Sequence, residues 1–254
     1  MSRSENASLQ LFVGRLALRS VLTEVEKQAI LGLPTHEHRI TAKTDFVRVS
    51  EEVAFGCFIA SGLVARFGQT LAGARQITAF HIAGDMADLH AAVRPIGVGG
   101  LTALCDTTIL RIPHDAIRAT AARHPAIAEA LWRDCMVDAA ILMQWVMNVG
   151  HRNAQTRLAH ILCEMAIRMS GDRDVLLDYR FPITQEQLGE ASGMTSVHVN
   201  RTLMTLRAHG LVTLKGGHVR IHDWAALAEV GQFDPTYLVA DTKPERQKRL
   251  LTAA

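Results

Sequence analysis

Apolar positions recur along the chain with three different periods, and each period marks a segment. Leu9, Phe12 and Leu16 fall on one side of a helix, and Thr23 followed by Glu26 is a capping box that opens a second helix over Glu24–Leu31. Pro34 ends it, and the pattern changes to short β-prone runs at 46–49, 55–59, 63–67, 76–80, 100–103 and 108–112, separated by turn residues such as Ser61-Gly62 and Gly84-Asp85. Short strands at that spacing predict a sandwich or a rolled barrel, and periodicity alone does not choose between them. His36-Glu37-His38 reads as a solvated loop entering the first strand.

After Pro113 the helical period returns, and residues 125–149 form one long helix. Ile127, Leu131, Cys135, Asp138, Ile141 or Leu142, Trp145 and Asn148 recur at three-to-four spacing, close to a coiled-coil seam. The apolar surface is wider than one domain contact needs, as in a helix that touches both its own domain and a partner helix. Gly150 is read as the break, residues 150–153 as a hinge, and Asn153 or Ala154 as the start of a helix running to Met169.

Residues 181–221 carry the densest signal. Thr184 and Gln187 form another capping box, Leu188 and Ala191 give the short helix an apolar side, and Gly193 can leave it with positive φ. Thr195 caps a second helix whose inward positions are Val199, Leu203 and Leu206, so Ser196, Val197, Asn200, Arg201 and Met204 lie on another face. Gly210 ends it, and two short strands around Lys215-Gly216-Gly217 complete a winged helix-turn-helix. A helical hairpin that merely packs on something is the blander reading; the wing and the protruding arginine favour DNA.

This stretch resembles the CRP/FNR superfamily of bacterial transcription regulators through Ile183-Thr184, Leu188, Gly193, Thr195, Val199, Arg201, Leu203, Leu206 and Gly210-Leu211-Val212. Ser61-Gly62-Leu63-Val64 and Ile82-Ala83-Gly84-Asp85 are similar to landmarks of its β-roll. The resemblance implies an α+β chain: a β-roll sensor with N-terminal helices over 1–124, a dimerisation helix over 125–150 and a winged helix-turn-helix over 151–231; the tail over 232–254, basic and with little apolar patterning, reads as mobile. It implies phosphate contacts from Thr184, Gln185 and Thr195, and base readout by Arg201 with Ser196, Val197 and Asn200 beside it. The dimer axis then runs along Ile127, Leu131, Ile141, Leu142 and Trp145. One departure matters: many members have glutamate where this chain has Val197.

Composition bounds this picture without changing it. The 254 residues suffice for two domains, and the net charge of only +2 requires any DNA-facing charge to be local. Between 151 and 220 arginine and lysine outnumber the acids. Cys57, Cys105, Cys135 and Cys163 are too far apart in sequence for the close pairs that hold zinc or iron–sulfur clusters, and read as buried thiols in a reducing compartment. No export signal or spanning segment is expected, which points to a cytoplasmic protein with no membrane partner.

Where members of the family bind a cyclic nucleotide, a Gly-Glu pair takes the ribose and an arginine with a hydroxyl residue takes the phosphate. Here Ala87-Asp88 and Gly97-Val98 stand at those places, and Arg94 is the nearest cation. Burying a phosphate without a cation is costly, so cyclic AMP is disfavoured as an effector. Asp85, Asp88, His90, Arg94, Gly97 and Val98 outline an effector pocket; no cofactor is indicated. Asp85, Asp88 and His90, with His81 or His114, are also a conceivable metal set, though turn and cap roles explain them more cheaply. The reading is a non-enzymatic, homodimeric transcription regulator acting on an inverted repeat in double-stranded DNA, with RNA polymerase as the partner the resemblance implies and an effector or redox signal sensed by the roll. A constitutive regulator with a scaffold roll, and a metal-dependent roll enzyme, are the alternatives.

Overall fold

Three consecutive residues of one strand show how the first unit is layered. Cys57 and Ile59 point between two sheets and Phe58 points the opposite way, the period-two alternation of an extended chain. The computed structural model describes residues 3–97, 99–171 and 175–238. They fall into two compact units, one within 3–68 and 80–139, the other within 69–79 and 140–238.

In chain order the first part contains α1 (Arg3–Ala17), α2 (Glu24–Leu31), β1 (His36–Ile40), β2 (Asp45–Val47), β3 (Phe55–Ser61), β4 (Leu63–Gln69), β5 (Arg75–Ile82), β6 (Gly100–Ala103), β7 (Thr107–Pro113), α3 (His114–Arg123) and α4 (Pro125–His151). One sheet has the order β1-β7-β3 and the other β2-β6-β4-β5. Val47, Val64, Leu101 and Ile109 join Cys57 and Ile59 in the core between them. On the outer side Phe58, Leu110 and Ile112 are covered by Phe12 and Leu16 of α1, Ile30 of α2, Ile117 of α3 and Ile127 of α4. This is the rolled β architecture, and the Thr23–Glu26 capping box is formed as expected.

Three local expectations need correction. Residues 36–40 are not a loop: they form β1, paired antiparallel to β7 from His36–Arg111 to Ile40–Thr107. Their polar composition fits a strand with little buried surface, since none of the five is fully buried. Gly150 does not break α4, which runs on to His151. A single helical glycine costs only about 1 kcal/mol relative to alanine, and Asn148 in the turn before it is anchored on the Arg157 carbonyl at 3.2 Å. Only Arg152 and Asn153 are non-helical before α5 (Ala154–Ser170), which Asn153 caps through the Thr156 amide.

In the second unit α5 is the buried centre, followed by β8 (Asp178–Arg180), α6 (Gln185–Ser192), α7 (Ser196–Ala208), β9 (Val212–Lys215), β10 (His218–Ile221) and α8 (Trp224–Gly231). The wing is a three-stranded sheet of order β8-β10-β9, one strand more than the two read from the sequence. Gly216 and Gly217, both at positive φ, make its turn. The first residues of the expected tail are structured: Pro235–Leu238 form a 3₁₀ turn and Tyr237 stacks on His160 with ring centroids 5.8 Å apart. Tyr237 Oη also donates to Glu164 Oε2 at 2.9 Å. Residues 239–254 lie outside the described residues. No described helix is long and apolar enough to cross a membrane.

Candidate nucleic-acid interface

The helix-turn-helix is fixed by its caps. Thr184 Oγ1 accepts from the Gln187 amide at 3.1 Å, and Gln187 Oε1 accepts from the Thr184 amide at 2.9 Å. At the other end of α6, Gly193 adopts the left-handed conformation at φ 66°. The carbonyls there are capped by side chains: Arg157 donates to Ser192 O at 2.9 Å and Gln76 to Glu190 O at 2.6 Å. Thr195 then caps α7 through the His198 amide at 3.3 Å.

Packing sets which face of α7 is free. Leu188 and Ala191 of α6 and Val199 and Leu206 of α7 are fully buried, with Thr202 nearly so. Ser196, Val197, Asn200, Arg201 and Met204 stay on the opposite side and, with Gln185, line one open concavity of about 420 Å³. Val197 is 68% exposed and Met204 60%. Asn200 Nδ2 donates to Gln185 Oε1 at 3.1 Å, so the side chain of Gln185 is engaged by the neighbouring helix. Thr184 and Thr195 are exposed at the two helix starts. His198 is exposed as well.

One residue essential to this geometry escapes the sequence reading. A Cβ added to Gly189 would lie 2.5 Å from the Met194 carbonyl oxygen, so the two helices can cross only over a bare Cα. An isolated glycine inside a helical pattern is the signal that could have exposed it.

The charge around the site is local. Arg152, Arg157 and Arg168 are committed to internal hydrogen bonds, and exposed Arg220 pairs with Asp178 at 2.7 Å. Arg180, Arg201, Arg207 and Lys215 are exposed. Arg173 lies outside the described residues.

The face of α4 differs from expectation. Ile127 and Leu131 belong to the first unit's core, and Ile141 and Trp145 are buried, so only Leu142 of the five expected interface residues is exposed. Asp138 and Trp145 of the same stripe bond within the chain: Asp138 accepts from Arg66 at 2.6 and 3.1 Å, and Trp145 Nε1 donates to Glu164 Oε2 at 3.0 Å. The exposed stripe is instead Trp132, Met136, Ala139, Met143 and Val146, at four-three-four-three spacing.

Of the six expected pocket residues, five lie among the described residues. Asp85 pairs with Arg15 of α1 and accepts from the Ile82 amide at 3.1 Å. Asp88 Oδ1 accepts from the Cys57 amide at 2.6 Å; burial pushes its carboxyl up against the opposing effect of that bond. Burial likewise lowers His90. Arg94 is exposed. The Gly97 amide donates to Glu51 O at 2.9 Å, which removes it as a phosphate ligand. Val98 lies outside the described residues. One hydrophobic cavity in the first unit, among Phe12, Leu33, Met86, Leu89 and Ile127, measures about 10 Å³, too small for an effector. The cysteines are unpaired, and burial pushes the thiols of Cys135 to about 11 and Cys163 to about 12, so both are protonated at neutral pH. Among the described residues no three His, Cys, Asp or Glu side chains are placed to hold a metal ion.

The chain combines a rolled β domain, a long helix with an exposed apolar stripe and a winged helix-turn-helix. Residues 156–230 match the family of Crp-like helix-turn-helix domains. The chain is 22% identical over 210 residues to the regulatory protein HlyX of Actinobacillus pleuropneumoniae, covering 83% of this chain and 88% of that one. It is 22% identical over 218 residues to the fumarate and nitrate reduction regulatory protein of Vibrio cholerae, covering 86% and 87%. Among solved structures, FixK2 of Bradyrhizobium japonicum superposes with a TM-score of 0.71 at 22% identity, over 78% of this chain and 98% of that one. A CooA variant of Carboxydothermus hydrogenoformans gives 0.61 at 18%, over 82% and 90%. Residues 156–230 thus carry a Crp-like helix-turn-helix domain, and over most of its length the chain is similar to transcription regulators of the CRP/FNR superfamily.

Proposed function

We propose that this protein is a cytoplasmic, non-enzymatic transcription regulator that binds an inverted repeat in double-stranded DNA as a homodimer. The observation that carries the reading is α7, held by buried Val199 and Leu206 so that a polar, arginine-bearing face is left open to solvent. That face suits the major groove, where Arg201 donates a bidentate pair to a guanine and Ser196, Val197 and Asn200 contact neighbouring base edges. Thr184, Thr195 and the backbone of Gln185, at the helix starts, hold phosphates and fix register.

One α7 reads too few base pairs alone, and a second copy supplies the other half-site about one helical turn away. The exposed stripe from Trp132 to Val146 is the surface for that copy. Its four-three spacing is that of a coiled-coil seam, and Trp132, Met143 and Val146 are 59, 65 and 61% exposed. Transcription is then controlled through RNA polymerase, in response to a signal received by the roll. Cyclic AMP is not that signal, since Gly97 is already bonded and Asp88 faces the Cys57 amide.

Selection of binding sites from random duplexes tests the reading. The expected result is a palindromic consensus bound with a steep salt dependence, and a loss of guanine preference at one position in Arg201→Ala. Equal weakening on all sequences would make Arg201 a phosphate contact, and no enriched duplex would end the DNA-binding assignment.

A further inference from the structure

The concavity on α7 holds more base chemistry than one arginine. We propose that the surface reads an A·T pair beside the guanine of Arg201, with the Asn200 amide on adenine, Val197 on the thymine methyl and Gln185 as the positioning residue for Asn200. The inference rests on α7 being the DNA-facing helix and names what that helix recognises.

Asn200 has two N–H donors and one carbonyl oxygen. One N–H is spent on Gln185 Oε1 at 3.1 Å. The second N–H and the oxygen remain, and that donor–acceptor pair is what adenine N7 and N6 require in the major groove. The Gln185 bond also ties down the amide plane before DNA arrives, so less side-chain freedom is lost on binding. Gln185 is itself placed by the capping box of Thr184 at the start of α6. The positioning is therefore built into the helix-turn-helix.

Val197 lies one turn before Asn200 and lines the same concavity. It is an apolar side chain left 68% exposed among polar neighbours on a protruding helix. Base edges in the major groove offer one apolar group, the thymine C5 methyl. Adenine presents its donor and acceptor, and its thymine partner the methyl, in the same groove, so residues 197 and 200 can share one pair.

The test uses full-length protein and a site obtained by selection. Thymine is replaced by deoxyuridine and adenine by 7-deazaadenine, one position at a time, and affinities are measured at fixed salt. Loss of one buried methyl weakens wild-type binding about fourfold at a single thymine, and loss of the adenine N7 acceptor weakens it about fivefold or more. Val197→Ala should become indifferent to the first change and Asn200→Ala to the second. Gln185→Ala should weaken adenine-bearing sites selectively, whereas Gln185→Glu, which keeps an acceptor, should retain the adenine preference while losing affinity on every sequence.

Uniform weakening by Gln185→Ala on all sequences would overturn the positioning role. A selected site that binds tightly but is insensitive to deoxyuridine and 7-deazaadenine throughout would overturn the A·T assignment and leave the DNA-binding reading intact. Failure to select any site would instead remove the reading beneath it.

Discussion

Trp145 Nε1 donates to Glu164 Oε2 at 3.0 Å, and both residues are buried. The bond joins α4 to α5 across the two non-helical residues 152 and 153, so the indole is part of its own chain's interior. Glu164 also accepts from Tyr237 Oη and Arg168, which leaves its carboxylate well satisfied without water.

This separates two effects that the periodicity of α4 confuses. Met143→Glu with Met136→Glu should convert the protein to monomer and reduce DNA affinity by a factor of ten or more, with little change in the stability of the isolated chain, because both side chains are exposed. Trp145→Phe should do the reverse, leaving the dimer and costing about 1–3 kcal/mol in urea unfolding through the lost donor to a buried carboxylate. Sedimentation and urea titration of both variants decide it: a double glutamate variant that remains dimeric at micromolar concentration removes this stripe from the interface.

Gly189→Ala should be among the most damaging single-methyl changes in the second unit. The added Cβ would sit 2.5 Å from a backbone oxygen, which the turn relieves only by moving α7 away from α6. We expect about 1–3 kcal/mol of destabilisation and a loss of DNA binding larger than the stability change explains. Gly150→Ala is the control, since nothing lies within 4 Å of its Cβ position and alanine favours a helix; it should be neutral or stabilising.

His160 gives the second unit a pH dependence. Its Nδ1–H donates to the Gly231 carbonyl at 3.1 Å, its Nε2 faces Tyr237 Oη at 3.3 Å, and the ring is fully buried. Burial, with the Arg152 charge as a smaller contribution, lowers it from 6.5 to about 4. The unfolded chain therefore takes up a proton between pH 6.5 and 4 that the folded chain refuses. The associated stability is fully present above pH 6.5, falls as pH drops toward 4, and totals roughly 3 kcal/mol. Unfolding free energies of His160→Gln should show a shallower slope across that window than wild type. Parallel slopes would mean the imidazole is protonated inside the fold.

What the sequence disclosed and what it hid follow from the range of the interactions. The caps at Thr23, Thr184 and Thr195 are three-residue devices, and each formed where its spacing placed it. The strand at 36–40 was hidden because its sequence, HEHRI, lacks an apolar run; its place is dictated by β7, some seventy residues later. One stripe and a wide apolar surface were read on α4, but which face turns inward depends on Arg66 and Glu164, neither of them near in sequence. Asp85 is the clearest case. A turn aspartate beside a presumed pocket looks available to a ligand, yet Arg15, seventy residues earlier, already neutralises it.

The same pairings predict that cyclic AMP and cyclic GMP do not bind at physiological concentration. A cyclic phosphate buried in the roll needs charge-assisted donors, each contributing on the order of 1.5–3 kcal/mol. The donors near the expected site are spent: the Gly97 amide on Glu51 O, Arg66 on Asp138, and Arg15 on Asp85. A Cβ on Gly97 would also meet the Arg48 carbonyl at 3.2 Å, so a substituted side chain there could not simply be turned to the task. Loss of even one such donor weakens binding by about ten- to a hundredfold, and loss of the cation and its partner by more. Titration calorimetry with each nucleotide should give no heat of binding at tens of micromolar. Micromolar binding that disappears in Arg94→Ala would show that this exposed arginine folds into the roll to supply the missing charge, and the prediction would then be wrong.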